Sequence, residues 1–141
     1  MSKLIILRGI PGSGKSTYAK KLMSYYQSIG KVVAHYEADM FFTHDDGSYH
    51  WDPNKVHIAH LWCQRHVRDA LDNCDVVIVA NTNVKRGDIQ DYIKIAEEKG
   101  AKYEVIRMET RYQTIHSVPE ETIQKMSEKF QDFEGETIIK E

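Results

Sequence analysis

Between residues 9 and 16 the chain reads Gly9-Ile10-Pro11-Gly12-Ser13-Gly14-Lys15-Ser16, a complete G-x-x-x-x-G-K-[ST] pattern. Its setting constrains the fold more than any other stretch. The apolar run Lys3 to Arg8 reads as a buried strand before it, and Thr17 to Tyr26 reads as a helix after it. Glycines let a backbone turn with its N–H groups inward, and a helix N-terminus adds partial positive charge, so the segment is built to hold phosphates. Lys15 is placed to reach β- and γ-phosphates, and the Ser16 hydroxyl to ligate Mg²⁺. Gly9, Pro11, Gly12, Ser13, Gly14, Lys15, Ser16 and Thr17 are therefore the expected contacts for ATP. The plainer reading, a glycine turn with an incidental lysine, does not account for the full eight-residue pattern between strand and helix.

Beyond this loop, apolar runs alternate with helical stretches, the βα sequence of an α/β domain with a mostly parallel sheet and helices on both faces. Strands are expected at Val32–Tyr36, Asp75–Ala80, Lys102–Met108 and Glu136–Lys140. Asp52-Pro53 opens a helix running to about Leu71, with Val56, Ala59, Cys63, Val67 and Ala70 on one stripe. Further helices are expected from Val84 to Lys99, closed by Gly100, and from Pro119 to Gly135. Residues 37–51 form the extended irregular stretch, long enough for a functional loop. A chain of 141 residues fits one domain, residues 1–141, with one core.

The formal net charge of −2 argues against a broad basic surface for tracking duplex nucleic acid, while leaving room for a local groove that holds one strand end. Cys63 and Cys74 form no ligand spacing and read as reduced core thiols. With no leader-like segment and no apolar run of membrane-spanning length, a cytoplasmic protein without membrane contact is expected. His57, His60 and His66 share a helix without completing a metal set and read as surface or packing residues.

In open α/β sheets, ligands collect beyond the carboxyl ends of the strands. After the second strand comes Glu37-Ala38-Asp39-Met40-Phe41-Phe42. Asp39 is the candidate to orient an acceptor hydroxyl and take its proton; capping a turn is its alternative role. Phe41 and Phe42 either wall an acceptor site or fill the core. The third strand ends Val79-Ala80-Asn81, an amide where many phosphate-loop proteins carry a carboxylate near Mg²⁺. Asp75 lies at the strand's other end, about 16 Å away, and cannot substitute. Either Asp39 also serves the metal, or Ser16 and the phosphates hold it. After the fourth strand, Arg111 is the candidate to cover the moving phosphoryl group, better placed than Arg107 inside the strand.

Several segments together resemble the P-loop kinases related to phage polynucleotide kinase. They are Ile5 to Thr17, Ala38 to Phe42, Asp46-Gly47-Ser48-Tyr49-His50-Trp51-Asp52-Pro53, Ala59 to Cys63, Asn81-Thr82-Asn83 and Val118 to Met126. The chain also resembles the polynucleotide-kinase-like domain of ubiquitin-ligase-binding proteins in animals and its small bacterial and phage relatives. The resemblance implies a five-stranded sheet in the order 2-3-1-4-5 and transfer of the ATP γ-phosphate to a nucleic acid 5′-hydroxyl, with Asp39 as general base. Phe42 stands where the phage enzymes carry an arginine, and the segment Glu109 to Val118 holds only Arg111. A smaller, nucleoside-like acceptor needs fewer phosphate contacts, and an ATP-binding module that regulates a partner is a third reading.

Overall fold

A computed structural model describes residues 2–110 and 119–140. Its centre is a five-stranded parallel sheet in the order β2-β3-β1-β4-β5, made of β1 (Lys3–Arg8), β2 (Val33–Tyr36), β3 (Val76–Asn81), β4 (Lys102–Met108) and β5 (Thr137–Ile139). The order follows from apolar content. β1 and β3 are nearly uninterrupted aliphatic runs and take interior positions, whereas β2 is only half-buried and β5 largely exposed, as edge strands tolerate.

Alternation within the strands divides two cores. Ile5, Leu7, Ile78, Ala80 and Ile106 face α1 (Lys15–Ser28), where Ala19 is fully buried. Leu4, Ile6, Val77, Val79 and Val105 face α2 (Val56–Leu71) and α3 (Arg86–Glu98) through Ala59, Cys63, Val67, Ile89, Tyr92 and Ala96. Each fully buried aliphatic side chain contributes about 1.5–3 kcal/mol. A fourth helix, α4 (Glu120–Lys129), precedes β5. No helix among the described residues is long and apolar enough to cross a membrane.

Several local outcomes refine the sequence reading. α1 begins at Lys15, inside the glycine loop, rather than at Thr17, and extends to Ser28. Residues 37–51 are not irregular throughout. Ala38–Phe42 is a 3₁₀ turn, and Thr43 pairs antiparallel with Tyr49 in a small hairpin. Asp52 caps the next helix by accepting from the Asn54 N–H at 2.9 Å, but the first turn, Pro53–Lys55, is 3₁₀. Val56, expected on the buried stripe, is partly exposed in consequence, while Leu71 joins that stripe at its far end. The last helix stops at Lys129, not Gly135, because the following residues are bound elsewhere. Phe42 is core, with Phe41 half-buried against it and Trp62. Both cysteines are free; Cys63 is buried and Cys74 half-buried. His66 packs on Tyr36 and Trp62.

Candidate active site

The glycine loop joins β1 to α1 at the carboxyl edge of the sheet. A Cβ on Gly9 would overlap Ser13 Oγ and come within 2.8 Å of the Met108 carbonyl oxygen, so this position admits no side chain. Gly12 and Gly14 hold φ of 82° and 91°, left-handed conformations that bring the chain into the helix. No side chain caps α1, and its first turn carries no acidic residue, leaving its N–H groups and partial positive charge available to an anion. Lys15 Nζ donates to the carbonyls of Gly9 at 2.8 Å and Ile10 at 3.1 Å. Burial lowers its pKa to about 8, with Glu37 opposing the shift.

Glu37 follows β2 directly and brings its carboxylate to the loop. Ser16 Oγ donates to Glu37 Oε2 at 2.8 Å. His35 Nε2 lies 2.9 Å from the same oxygen. Burial pushes Glu37 up, yet His35, Ser16 and Lys15 together outweigh it and hold the carboxyl below its ordinary value. Among the described residues no group of three or more His, Cys, Asp or Glu could hold a metal by itself. The adjoining Ser16 hydroxyl and Glu37 carboxylate are the hard oxygen donors that suit Mg²⁺ shared with phosphates. The carboxylate beside Ser16 thus follows β2 rather than closing β3, a placement that spacing alone does not reveal.

Asn81, at the end of β3, has a different task. Its side-chain oxygen accepts from the Ala38 N–H at 2.9 Å, and its amide nitrogen donates to Tyr92 Oη at 3.3 Å and lies 3.8 Å from Cys63 Sγ. It thereby pins the start of the 3₁₀ turn on which Asp39 sits. Asp39 is exposed, and its Oδ1 accepts from Tyr49 Oη at 2.5 Å. Burial and the neighbouring carboxylate push the Tyr49 phenol up to about 12.

On the opposite side of the loop lies a cavity of about 570 Å³, bordered by Ile10, Ser13, Arg107, Thr110, Phe130 and Lys140. Ser13 Oγ is buried with no hydrogen-bond partner among the described residues. Arg8 lies behind this lining, against the Phe130 ring. It is fully buried, pairs with Glu136 at 2.7 Å, and donates to the carbonyls of Asn83, Val84 and Gln131. The Arg8 and Arg107 guanidiniums lie 4.1 and 4.5 Å from the Phe130 ring centroid. Arg107 is held by Asp132 at 2.6 Å, Glu109 at 3.2 Å and Glu136 at 3.5 Å, so its charge is balanced by carboxylates. A charged residue closing an otherwise apolar strand was the one sequence signal for this network. Arg111 lies outside the described residues.

The model of the AAA domain family matches residues 4–133. An uncharacterized protein of Pasteurella multocida is 30% identical over 134 residues, 89% of this chain and 75% of that protein. Human NEDD4-binding protein 2 is also 30% identical, over 96% of this chain but only 8% of its own length. Among solved structures, one chain of a Pnkp1/Rnl/Hen1 complex is 26% identical with a TM-score of 0.60, covering 88% of this chain and 38% of that one. Mycobacterium tuberculosis APS kinase CysC, solved with AMPPNP and APS, shares the fold at 13% identity and a TM-score of 0.68, over 99% and 88% of the two chains. The fold is that of P-loop kinases.

Proposed function

We propose that this chain, which belongs to the AAA domain family, is an ATP-dependent kinase that transfers the γ-phosphoryl group to a hydroxyl, most specifically a nucleic acid 5′-hydroxyl. The observation that carries the proposal is the segment leaving β2. It sets Glu37 against Ser16 of the phosphate loop and, two residues later, offers Asp39 at the same sheet edge. The likeness to a chain of the Pnkp1/Rnl/Hen1 complex and the implied relation to polynucleotide kinases support the acceptor assignment.

In this reading the loop N–H groups and the α1 terminus bind the triphosphate. Lys15 exchanges its contacts with the Gly9 and Ile10 carbonyls for phosphate oxygens. Ser16, with Glu37 behind it, would hold Mg²⁺, which when bound neutralises charge on the β- and γ-phosphates. The nucleoside occupies the cavity beside Ser13, Thr110 and Phe130. Asp39 accepts a hydrogen bond from the acceptor hydroxyl. As the acceptor oxygen bonds to the γ-phosphorus, the bond from that phosphorus to the β-bridging oxygen breaks, ADP leaves with the electron pair, and the acceptor proton passes to Asp39. Arg111 is the proposed cation over the transferring group.

One observation favours a second reading, a nucleoside-like acceptor. From Val32 to Asn54 the chain has no Lys or Arg, so the segment bearing Asp39 offers no permanent cation to a phosphate following the hydroxyl. Labelled γ-phosphate from ATP, offered to 5′-hydroxyl RNA, 5′-hydroxyl DNA and a nucleoside panel, separates the two. Label on the oligonucleotide end supports the first reading; label on nucleosides alone replaces it with the second. ATP bound without transfer to any acceptor overturns both.

A further inference from the structure

The motif Asp46-Gly47-Ser48-Tyr49-His50-Trp51 has no part in the chemistry above, yet the fold spends a structured hairpin on it. Gly47, with φ of 85°, donates to the His44 carbonyl at 2.9 Å, and Asp46 accepts from Ser48 N–H at 2.9 Å and Ser48 Oγ at 2.6 Å. His44 N–H donates to the Ser48 carbonyl at 2.8 Å and His50 N–H to the Phe42 carbonyl at 2.9 Å, which fixes the register of Tyr49 opposite Thr43. The Tyr49 ring stands edge-on to buried Phe42, centroids 6.3 Å apart.

We propose that Tyr49 is a positioning residue for Asp39, holding one carboxylate oxygen so that the other faces the acceptor hydroxyl. The inference rests on the reading of Asp39 as the base. Both partners are fixed from the protein interior: Asp39 rides on a turn anchored by Asn81 to Ala38, and Tyr49 on a hairpin anchored to Phe42. The Tyr49 hydroxyl donates to Oδ1 of the Asp39 carboxylate, and no other described hydrogen bond engages that carboxylate. A base whose orientation is set by a third group is the recurrent arrangement where an exposed side chain must take a proton from one direction. Half the Tyr49 surface is exposed, so ring burial alone does not account for the residue.

The test is a double-mutant cycle of Tyr49→Phe and Asp39→Asn, read by single-turnover loss of ATP with 5′-hydroxyl RNA and with water as acceptors. Phenylalanine keeps the ring and its packing on Phe42, so only the hydroxyl is removed. Tyr49→Phe is expected to slow transfer about tenfold, the scale of one hydrogen bond to a charged group, with ATP affinity unchanged. In the Asp39→Asn background it should cause no further loss. A normal rate in Tyr49→Phe beside a slow Asp39→Asn overturns the positioning role and leaves the base intact. Equal losses from Tyr49→Phe in both backgrounds overturn it as well. A normal rate in Asp39→Asn overturns the base reading itself.

Discussion

Lys15 is a cation kept in a site that disfavours its charge. With its pKa lowered to about 8 by burial, about half of the unliganded molecules carry a neutral Lys15 at pH 8. A triphosphate requires the charged form, so binding at pH 8 to 9 should draw a proton from solvent, and affinity should fall as pH rises through 8. Calorimetry in two buffers of different ionisation enthalpy measures the uptake; zero uptake and a flat affinity from pH 7 to 9 would contradict the assignment. Lys15 and Ser16 were legible as candidates in the sequence because the loop pattern that singles them out is local in the chain. Glu37 was not. It meets Ser16 at a sequence separation of 21, and only the pairing of β2 with β3 brings its carboxylate to the loop.

At the scale of elements, the carboxyl ends of β2 and β3 have divided their tasks. The end of β2 brings the Glu37 carboxylate to Ser16, and β3 supplies an anchor through Asn81. Asn81→Asp therefore should not improve metal binding. It replaces a donor toward Tyr92 with a buried carboxylate and should destabilise the fold by about 1–3 kcal/mol, seen as a lower urea midpoint. Tighter Mg²⁺ binding in that variant would show that the end of β3 faces the metal after all. Helix beginnings were readable from Asp52-Pro53 and from the glycine loop, since caps are local. The end of α4 was not. Gly135 has the left-handed φ of a helix terminator, but the helix stops earlier, where Gln131 O accepts from Arg8 at 2.6 Å and Phe130 meets two guanidiniums.

Across the whole molecule, residues 130–136 return from α4 to the strand ends and are held there by Arg8, Arg86 and Arg107. The strand order was accessible through resemblance alone, whereas this strap rests on buried arginine contacts that no periodicity signals. Glu136→Ala leaves Arg8 buried without its carboxylate and should cost about 3–5 kcal/mol, read as a drop in denaturation midpoint. An unchanged midpoint would mean the carbonyls of Asn83 and Gln131 suffice for Arg8. The strap borders one wall of the proposed nucleoside cavity, and the turn bearing Asp39 lies beyond the loop's opposite flank, so the proposed donor and acceptor sides belong to different elements. That separation is the central claim, and one paired measurement tests it: ATP affinity and γ-phosphoryl transfer in wild type, Lys15→Ala and Asp39→Asn. Lys15→Ala should lose both, and Asp39→Asn should keep ATP affinity while transfer falls by at least about a hundredfold. Equal loss of binding and transfer in Asp39→Asn, or transfer at the wild-type rate, would contradict it.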